Sequence, residues 1–289
     1  MHTKILLFSI IFITAFSIFT TCHGEMDVHF LDVGQGDAAI IVCDGECMII
    51  DGGPPHASQY IYWYISEKLD IPEVKYMIAT HPHEDHIGGL SAALNAAIID
   101  VILSPVLEWD SRQFSSMMKY ADMQGTPLMI PEEGDIYQLG GATVAILSCW
   151  TDAWDTNCMS IVCRIDYDDV SFLFTGDAED MLEYMMIDSG YDLTADVLKV
   201  AHHGSSTSST EEFIQTVQPK YAVISCGEDN QYGHPRPEVL DRLGAAEIYR
   251  TDLDGTIIMR SDGDTITVET ELPHHGVSHY MLRKQVSSI

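Results

Sequence analysis

The chain has 289 residues, 46% of them hydrophobic, and its 14 lysines plus arginines face 44 aspartates plus glutamates for a formal net charge of −30. That length can bury one large core, and a single domain is expected. No basic stripe runs along the sequence, which excludes electrostatic grip on a polyanion and leaves any phosphate-bearing substrate to metal ions and a few local donors.

Residues Ile5 to Thr20 are almost wholly apolar, with Lys4 the only basic side chain ahead of them. The segment is too short for a comfortable membrane span and reads as an export signal. Two processing sites compete. Phe19-Thr20-Thr21-Cys22 resembles a lipoprotein box that would lipidate Cys22, although threonine stands where glycine, alanine or serine is favoured; cleavage after Gly24 is the other reading. Residues 1–24 are therefore set apart from the fold, 25–272 form the expected domain, and 273–289 a C-terminal tail. An exported protein, extracellular or held at the cell surface by a lipid anchor, is expected.

Strands are expected at Asp27 to Val33, Ala38 to Cys43 and Glu46 to Ile50, separated by Gly34-Gln35-Gly36 and the Asp44-Gly45 turn. Most of the cysteines lie in apolar runs and read as buried free thiols; Cys43 and Cys47, flanking that turn, are the one pair expected to bridge in an oxidising compartment. His29 lies outside every motif and is assigned no role. Ile61, Ile65 and Leu69 recur at four-residue spacing and predict a helix over 58–69. Strand 75–79 then delivers Thr80-His81-Pro82-His83-Glu84-Asp85-His86-Ile87-Gly88-Gly89, three imidazoles and two carboxylates within six residues. A polar surface loop rarely follows a buried strand so directly. Imidazole with carboxylate suits zinc and, with more oxygen, manganese or iron, and the spacing can aim His81 and His83 at one ion and Asp85 and His86 at a second.

Helices near 89–97 and 111–124 follow, with strands at 98–103, 128–130, 143–147, 160–166 and 170–174. The second half alternates helices near 178–188, 210–217 and 238–243 with strands at 196–200, 220–225, 247–250, 256–260 and 265–270. Two facing sheets with helices outside, an αββα sandwich of the α/β class, account for this order. Two further strands end in metal-binding side chains: Phe172-Leu173-Phe174 runs into Thr175-Gly176-Asp177, and Val197-Leu198-Lys199-Val200-Ala201 into His202-His203-Gly204-Ser205. Asp177 alone could be a helix cap; beside the first cluster it reads as a ligand.

These residues resemble the metallo-β-lactamase superfamily, and within it the hydrolase domain of ComEC/Rec2-type competence proteins, which serve DNA uptake. The resemblance is carried by Phe30-Leu31-Asp32-Val33-Gly34-Gln35-Gly36-Asp37-Ala38, Ile50-Asp51-Gly52-Gly53, the His81 to Gly89 run, Phe174 to Asp177, Leu198 to Ser205, and Tyr232-Gly233-His234-Pro235. It implies a metallo-β-lactamase type αββα fold with two divalent metal ions, zinc or manganese. His81 and His83 would hold the first, Asp85 and His86 the second, with Asp177 bridging and either His202 or His203 completing the second site. No histidine lies between His86 and His202, where many relatives supply a third imidazole; ComEC-type domains have an Asn-x-x-Ser run there, matched by Asn157-Cys158-Met159-Ser160. With fewer nitrogen ligands, β-lactam hydrolysis is disfavoured and manganese or partial occupancy favoured.

The reaction implied is hydrolysis of a phosphodiester, nucleic acid or a smaller molecule, by a dinuclear metal-bound hydroxide. Asp85, His234 and Lys199 are the candidate catalytic residues, His234 for the leaving group or a phosphate contact; Lys199 could equally pair with an acidic neighbour. Asp51, Asn157 and Ser160 are expected behind the ligands or against substrate, Asp51 orienting a ligand histidine. The expectation is a stand-alone exported form without the membrane channel of the competence proteins. A lactone or thioester hydrolase of the same fold, or a non-catalytic surface protein retaining the metal site, are the alternatives.

Overall fold

The computed structural model describes residues 24–271. The expected export signal, Cys22 included and Gly24 excepted, and the expected C-terminal tail lie outside the described residues. Among those described, no helix is long and apolar enough to cross a membrane.

Alternation at a period of two in the first strands decides the architecture. In β1 (Met26–Phe30), Met26, Val28 and Phe30 enter one core; in β2 (Ala38–Cys43), Ala39, Ile41 and Cys43 join it, while Ala38 and Ile40 enter another on the opposite face. Strands buried on both faces need a layer on each side. They share a sheet with β3 (Glu46–Gly52), β4 (Glu73–Ile78), β5 (Ile98–Leu103), β6 (Leu128–Met129), β14 (Ile257–Ser261) and β15 (Ile266–Thr270), in the order β15-β14-β1-β2-β3-β4-β5-β6. The second sheet holds β7 (Ile136–Leu139), β8 (Ala142–Ser148), β9 (Val162–Tyr167), β10 (Val170–Phe174), β11 (Val197–Lys199), β12 (Tyr221–Ile224) and β13 (Glu247–Arg250), in the order β13-β12-β11-β10-β9-β8-β7.

The sheets face each other across a core in which Phe30 and Phe174 stack at 5.6 Å, a pairing worth about 0.5–1.5 kcal/mol beyond its buried area. Helices α1 (Ser58–Trp63), α3 (Leu90–Ala96) and α4 (Arg112–Gln124) cover the outer face of the first sheet, with the short α2 (Glu84–Ile87) ahead of α3; α5 (Asp180–Ser189), α6 (Glu211–Val217) and α7 (Pro237–Leu243) cover the second. The one-turn α8 (Thr251–Asp254) follows β13. The αββα sandwich read from the sequence is the fold observed.

Several local readings change. The helix expected over 58–69 is α1 followed by a π-helical turn at Tyr64–Lys68, closed by Leu69 N donating to the Tyr64 carbonyl at 2.9 Å. Strand β1 stops at Phe30, short of Val33, where the chain turns at Gly34. Strand β7 was not expected and forms a hairpin with β8 across Gly140-Gly141. The Cys43–Cys47 bridge is absent and both thiols are free. Cys47 pairs with Val42 rather than Cys43, so the two side chains enter different cores on opposite faces of the sheet.

Parallel pairing positions the site. β3, β4 and β5 run parallel, as do β10 through β13. The segments leaving β4, β10 and β11 meet at one edge of the sandwich, where a hydrogen bond from Ile161 N to the Thr80 carbonyl at 2.9 Å joins the two halves.

Candidate metal centre

Each polar side chain at this edge is set by the end of a strand. After β4, Ala79 N still bonds the Leu103 carbonyl at 2.8 Å, which carries the β geometry to the threshold of His81. His83 is extended, and α2 begins at Glu84, so Asp85 and His86 ride on one helical turn. Gly36 packs against that turn at φ +146°, where a Cβ would lie 2.3 Å from the Asp85 carbonyl oxygen. After β10, Gly176 at φ +52° turns the chain so that Asp177 points back into the edge. After β11, His202 and His203 both take left-handed backbone conformations, at φ 49° and 55°, an arrangement that points to function rather than packing.

The side chains gather into two groups that share Asp177. In the first, His81 Nε2 lies 2.9 Å from His83 Nδ1 and 3.8 Å from Asp177 Oδ2. In the second, His203 Nε2 lies 3.3 Å from Asp85 Oδ2 and 3.7 Å from Asp177 Oδ2, and His86 Nε2 lies 3.2 Å from Asp177 Oδ1. Ligand atoms of His81, His83 and Asp177 all fall within 4.8 Å of one another, as do those of Asp85, His86 and His203. His202, more exposed, joins no such group among the described residues; its Nε2 is 3.8 Å from Asp177 Oδ2 and its Nδ1 3.3 Å from Glu179 Oε1.

Buried groups behind the ring fix which nitrogens face inward. His86 Nδ1 donates to Asp51 Oδ2 at 2.8 Å, and Asp51 is held by Thr80 N and Oγ1 at 2.9 and 2.7 Å. His203 Nδ1 donates to the Ser225 carbonyl at 2.9 Å, beside Asp37 Oδ1 at 3.2 Å. His86 Nε2, His203 Nε2 and Asp177 Oδ1 are then left buried without hydrogen-bond partners, all aimed at the same space. Converging bare nitrogen and carboxylate atoms are what a pair of divalent cations would satisfy, and the donor set fits such a pair.

Charge makes the same point. Burial raises the Asp37 carboxyl, but Lys199 and His203 outweigh it and hold the group down to about 2. Burial likewise opposes ionisation of Asp177, and the His86 and His203 imidazoles overcome it, keeping the carboxyl well below the usual range. The carboxylates push back: against burial, Asp177 and Asp37 drive His203 up to about 10, and Asp177 and Asp51 raise His86 well above its ordinary value. His81 goes the other way, lowered by burial and by the His86 charge beside it.

Asn157 and Ser160 come to the edge as well. Ser160 Oγ accepts from Asp177 N at 3.0 Å and lies 3.4 Å from His81 Nδ1, while Asn157 Nδ2 donates to Glu179 Oε1 at 3.2 Å. Lys199 needs correction as a catalytic candidate. It is buried, with Nζ 2.6 Å from Asp37 Oδ2 and 3.1 Å from the Val200 carbonyl, and it does not line the cleft. The helix-cap reading of Asp177 also falls away, since α5 begins beyond Glu179. Sequence reasoning missed Glu179, which gathers Asn157, Thr207 and His202; only its place two residues after Asp177 could have flagged it. A cleft of about 360 Å³ opens over the centre, lined by Gln35, His83, Asp85, Asp177, His203 and His234 among others. The His234 ring is brought down to about 4 by burial and by the two histidines near it.

The profile of the metallo-beta-lactamase superfamily matches residues 31–228, which contain both groups. The chain belongs to the metallo-beta-lactamase superfamily. It is 30% identical over 263 residues to ComE operon protein 3 of Bacillus subtilis, covering 84% of this chain and 34% of that one. It is also 30% identical over 237 residues to Recombination protein 2 of Haemophilus influenzae, covering 80% and 28%. The chain thus spans about a third of the length of these curated relatives. Among solved structures, the metallo-beta-lactamase fold protein YhfI of Bacillus subtilis superposes with a TM-score of 0.57 at 14% identity, covering 82% of this chain and all of that one. CmlA, a diiron beta-hydroxylase from Streptomyces venezuelae, gives 0.52 at 13% identity, covering 86% and 54%. These two establish the fold alone. The fold family binds divalent metals, often in pairs, and in general supports metal-dependent hydrolysis.

Proposed function

We propose that the chain is a metal-dependent phosphodiesterase acting on nucleic acid or small phosphodiesters at the cell surface. One observation carries it: two ligand groups share a buried carboxylate, with bare Nε2 atoms of His86 and His203 beneath an open polar cleft. His81, His83 and Asp177 would hold one cation, and Asp85, His86, His203 and Asp177 the other, which makes His203 rather than His202 the ligand. Such a pair acidifies water and neutralises charge on an attacked phosphoryl centre.

The protein's own groups do the rest. With cations bound and the rings neutral, Asp51 and the Ser225 carbonyl would accept from Nδ1 of His86 and His203 and so leave Nε2 of each to the cation. Ser160 fixes the Asp177 loop through its backbone N–H. His234, neutral at pH 7, serves as a hydrogen-bond donor to a phosphate oxygen and not as a charge. His202, oriented by Glu179, flanks the same space. The name of one relative, Recombination protein 2, supports nucleic acid among phosphodiesters, and the similarity to a competence protein of Neisseria gonorrhoeae supports a place at the cell surface.

The test is hydrolysis of bis-p-nitrophenyl phosphate by the chelator-stripped full chain, with Mn²⁺ or Zn²⁺ returned and bound metal counted. Metal-restored turnover with two ions per chain is expected. Two bound ions without turnover would sink the phosphodiesterase reading and send the search to lactones and thioesters.

A further inference from the structure

The mouth of the cleft holds an aromatic ring that the hydrolytic centre does not use. Tyr232 lines the cleft with 50% of its surface exposed, and its ring lies 5.7 Å from that of His234 at an interplanar angle of 24°. The His234 ring is braced in turn by the edge of His202, at 5.8 Å and 76°. The loop that carries the pair is pinned. Asn230 Oδ1 accepts from His234 N at 3.0 Å, and Asn230 Nδ2 donates to the Gly227 carbonyl at 2.9 Å. Gly227 N donates to Gln35 Oε1 at 3.1 Å, which leaves Gln35 Nε2 buried and without a partner in the same cleft.

A flat, half-exposed ring backed by a second ring is a stacking platform, and an amide with an unused donor beside it suits the polar edge of a planar heterocycle. Charge points the same way. With a net charge of −30 the surface has little means to track a phosphate backbone, so affinity for nucleic acid has to come from bases and metal. A duplex offers no free base face to such a platform.

We propose that Tyr232, backed by His234, and Gln35 form a nucleobase subsite, and that the substrate is single-stranded nucleic acid or a short oligonucleotide recognised through a base near the scissile phosphate. This rests on the phosphodiesterase reading of the metal centre. The probes are thymidine 5′-monophosphate and 2-deoxyribose 5-phosphate, the same phosphate with and without the base, titrated calorimetrically into the Mn²⁺-loaded full chain. The nucleotide should bind roughly tenfold more tightly, as one stacked base allows. Tyr232→Ala should bring the two within about twofold, and Tyr232→Phe, which keeps the ring, should retain the preference. Equal affinities in the wild type, or a preference that survives Tyr232→Ala, would overturn the subsite. Incubation with the dinucleotide d(TpT) separates the two readings: a base preference with intact d(TpT) upholds the subsite and removes the hydrolase, whereas cleavage without a base preference removes the subsite alone.

Discussion

His29 and His203 are buried almost equally, at 3% and 2% exposure, yet their imidazoles shift in opposite directions. His29 lies on β1 beneath the π turn, with Nδ1 3.0 Å from the Tyr64 hydroxyl, and burial, aided by Arg260 and Lys68, lowers it to about 4. His203 sits at the sandwich edge among Asp37, Asp85 and Asp177, which overcome the same burial and raise it to about 10. Burial sets the cost of a charge, and the neighbours decide whether it is borne. The region under the helices is built to be neutral. The edge brings together four carboxylates, Asp37, Asp51, Asp85 and Asp177, of which Asp37 pairs with the Lys199 ammonium, and the whole suits cations.

Removing the shared carboxylate should break this contrast most severely. Asp177→Ala should lower turnover about a thousandfold, since a metal supplies several kcal/mol and each 1.4 kcal/mol is tenfold. Metal counting should show fewer than two ions with unchanged circular dichroism, and wild-type turnover would remove Asp177 from the mechanism. On the neutral side, the folded His29 takes up its proton near pH 4 while the unfolded one does so near 6.5. Its stabilising contribution is therefore present above pH 6.5 and lost as pH falls toward 4, by about 3 kcal/mol in all. Urea unfolding across that window should show His29→Gln losing less stability than the wild type; parallel curves would mean that the ring is not shielded as described.

The two proposed metal positions also differ from each other. The second is braced by Asp51 and the Ser225 carbonyl, the first by the longer approaches of the Thr80 and Ser160 hydroxyls to His81 Nδ1, at 3.2 and 3.4 Å. Asp51→Ala should therefore cost about 10–100-fold in affinity for the tighter ion, read by competition with a chelating dye. Ser160→Ala should cost roughly fivefold at the weaker ion, the worth of one ordinary hydrogen bond, and less at the other, which Ser160 reaches only through Asp177 N. Equal effects on both ions from either variant would erase the distinction.

The first cluster was legible because six consecutive residues carry it behind one strand. Asp177 and the 202/203 pair were legible as strand ends. The choice between His202 and His203 was not, because both adopt left-handed conformations and only tertiary position separates them. Lys199 misled for a related reason: β11 is buried on both faces, so alternation does not say which way its side chain points. Strand β7 escaped because only Leu139 of its four residues is fully buried, although the Gly140-Gly141 turn was there to be read. Glu179 acts through three partners distant in sequence, which no local pattern encodes.

Anomalous diffraction at the manganese edge, from crystals of the full chain grown with Mn²⁺, tests the two-cation centre most directly. Two peaks flanking Asp177 are predicted, one within reach of His81 and His83 and the other within reach of Asp85, His86 and His203. A single peak, or a second peak ligated by His202 in place of His203, would contradict the account.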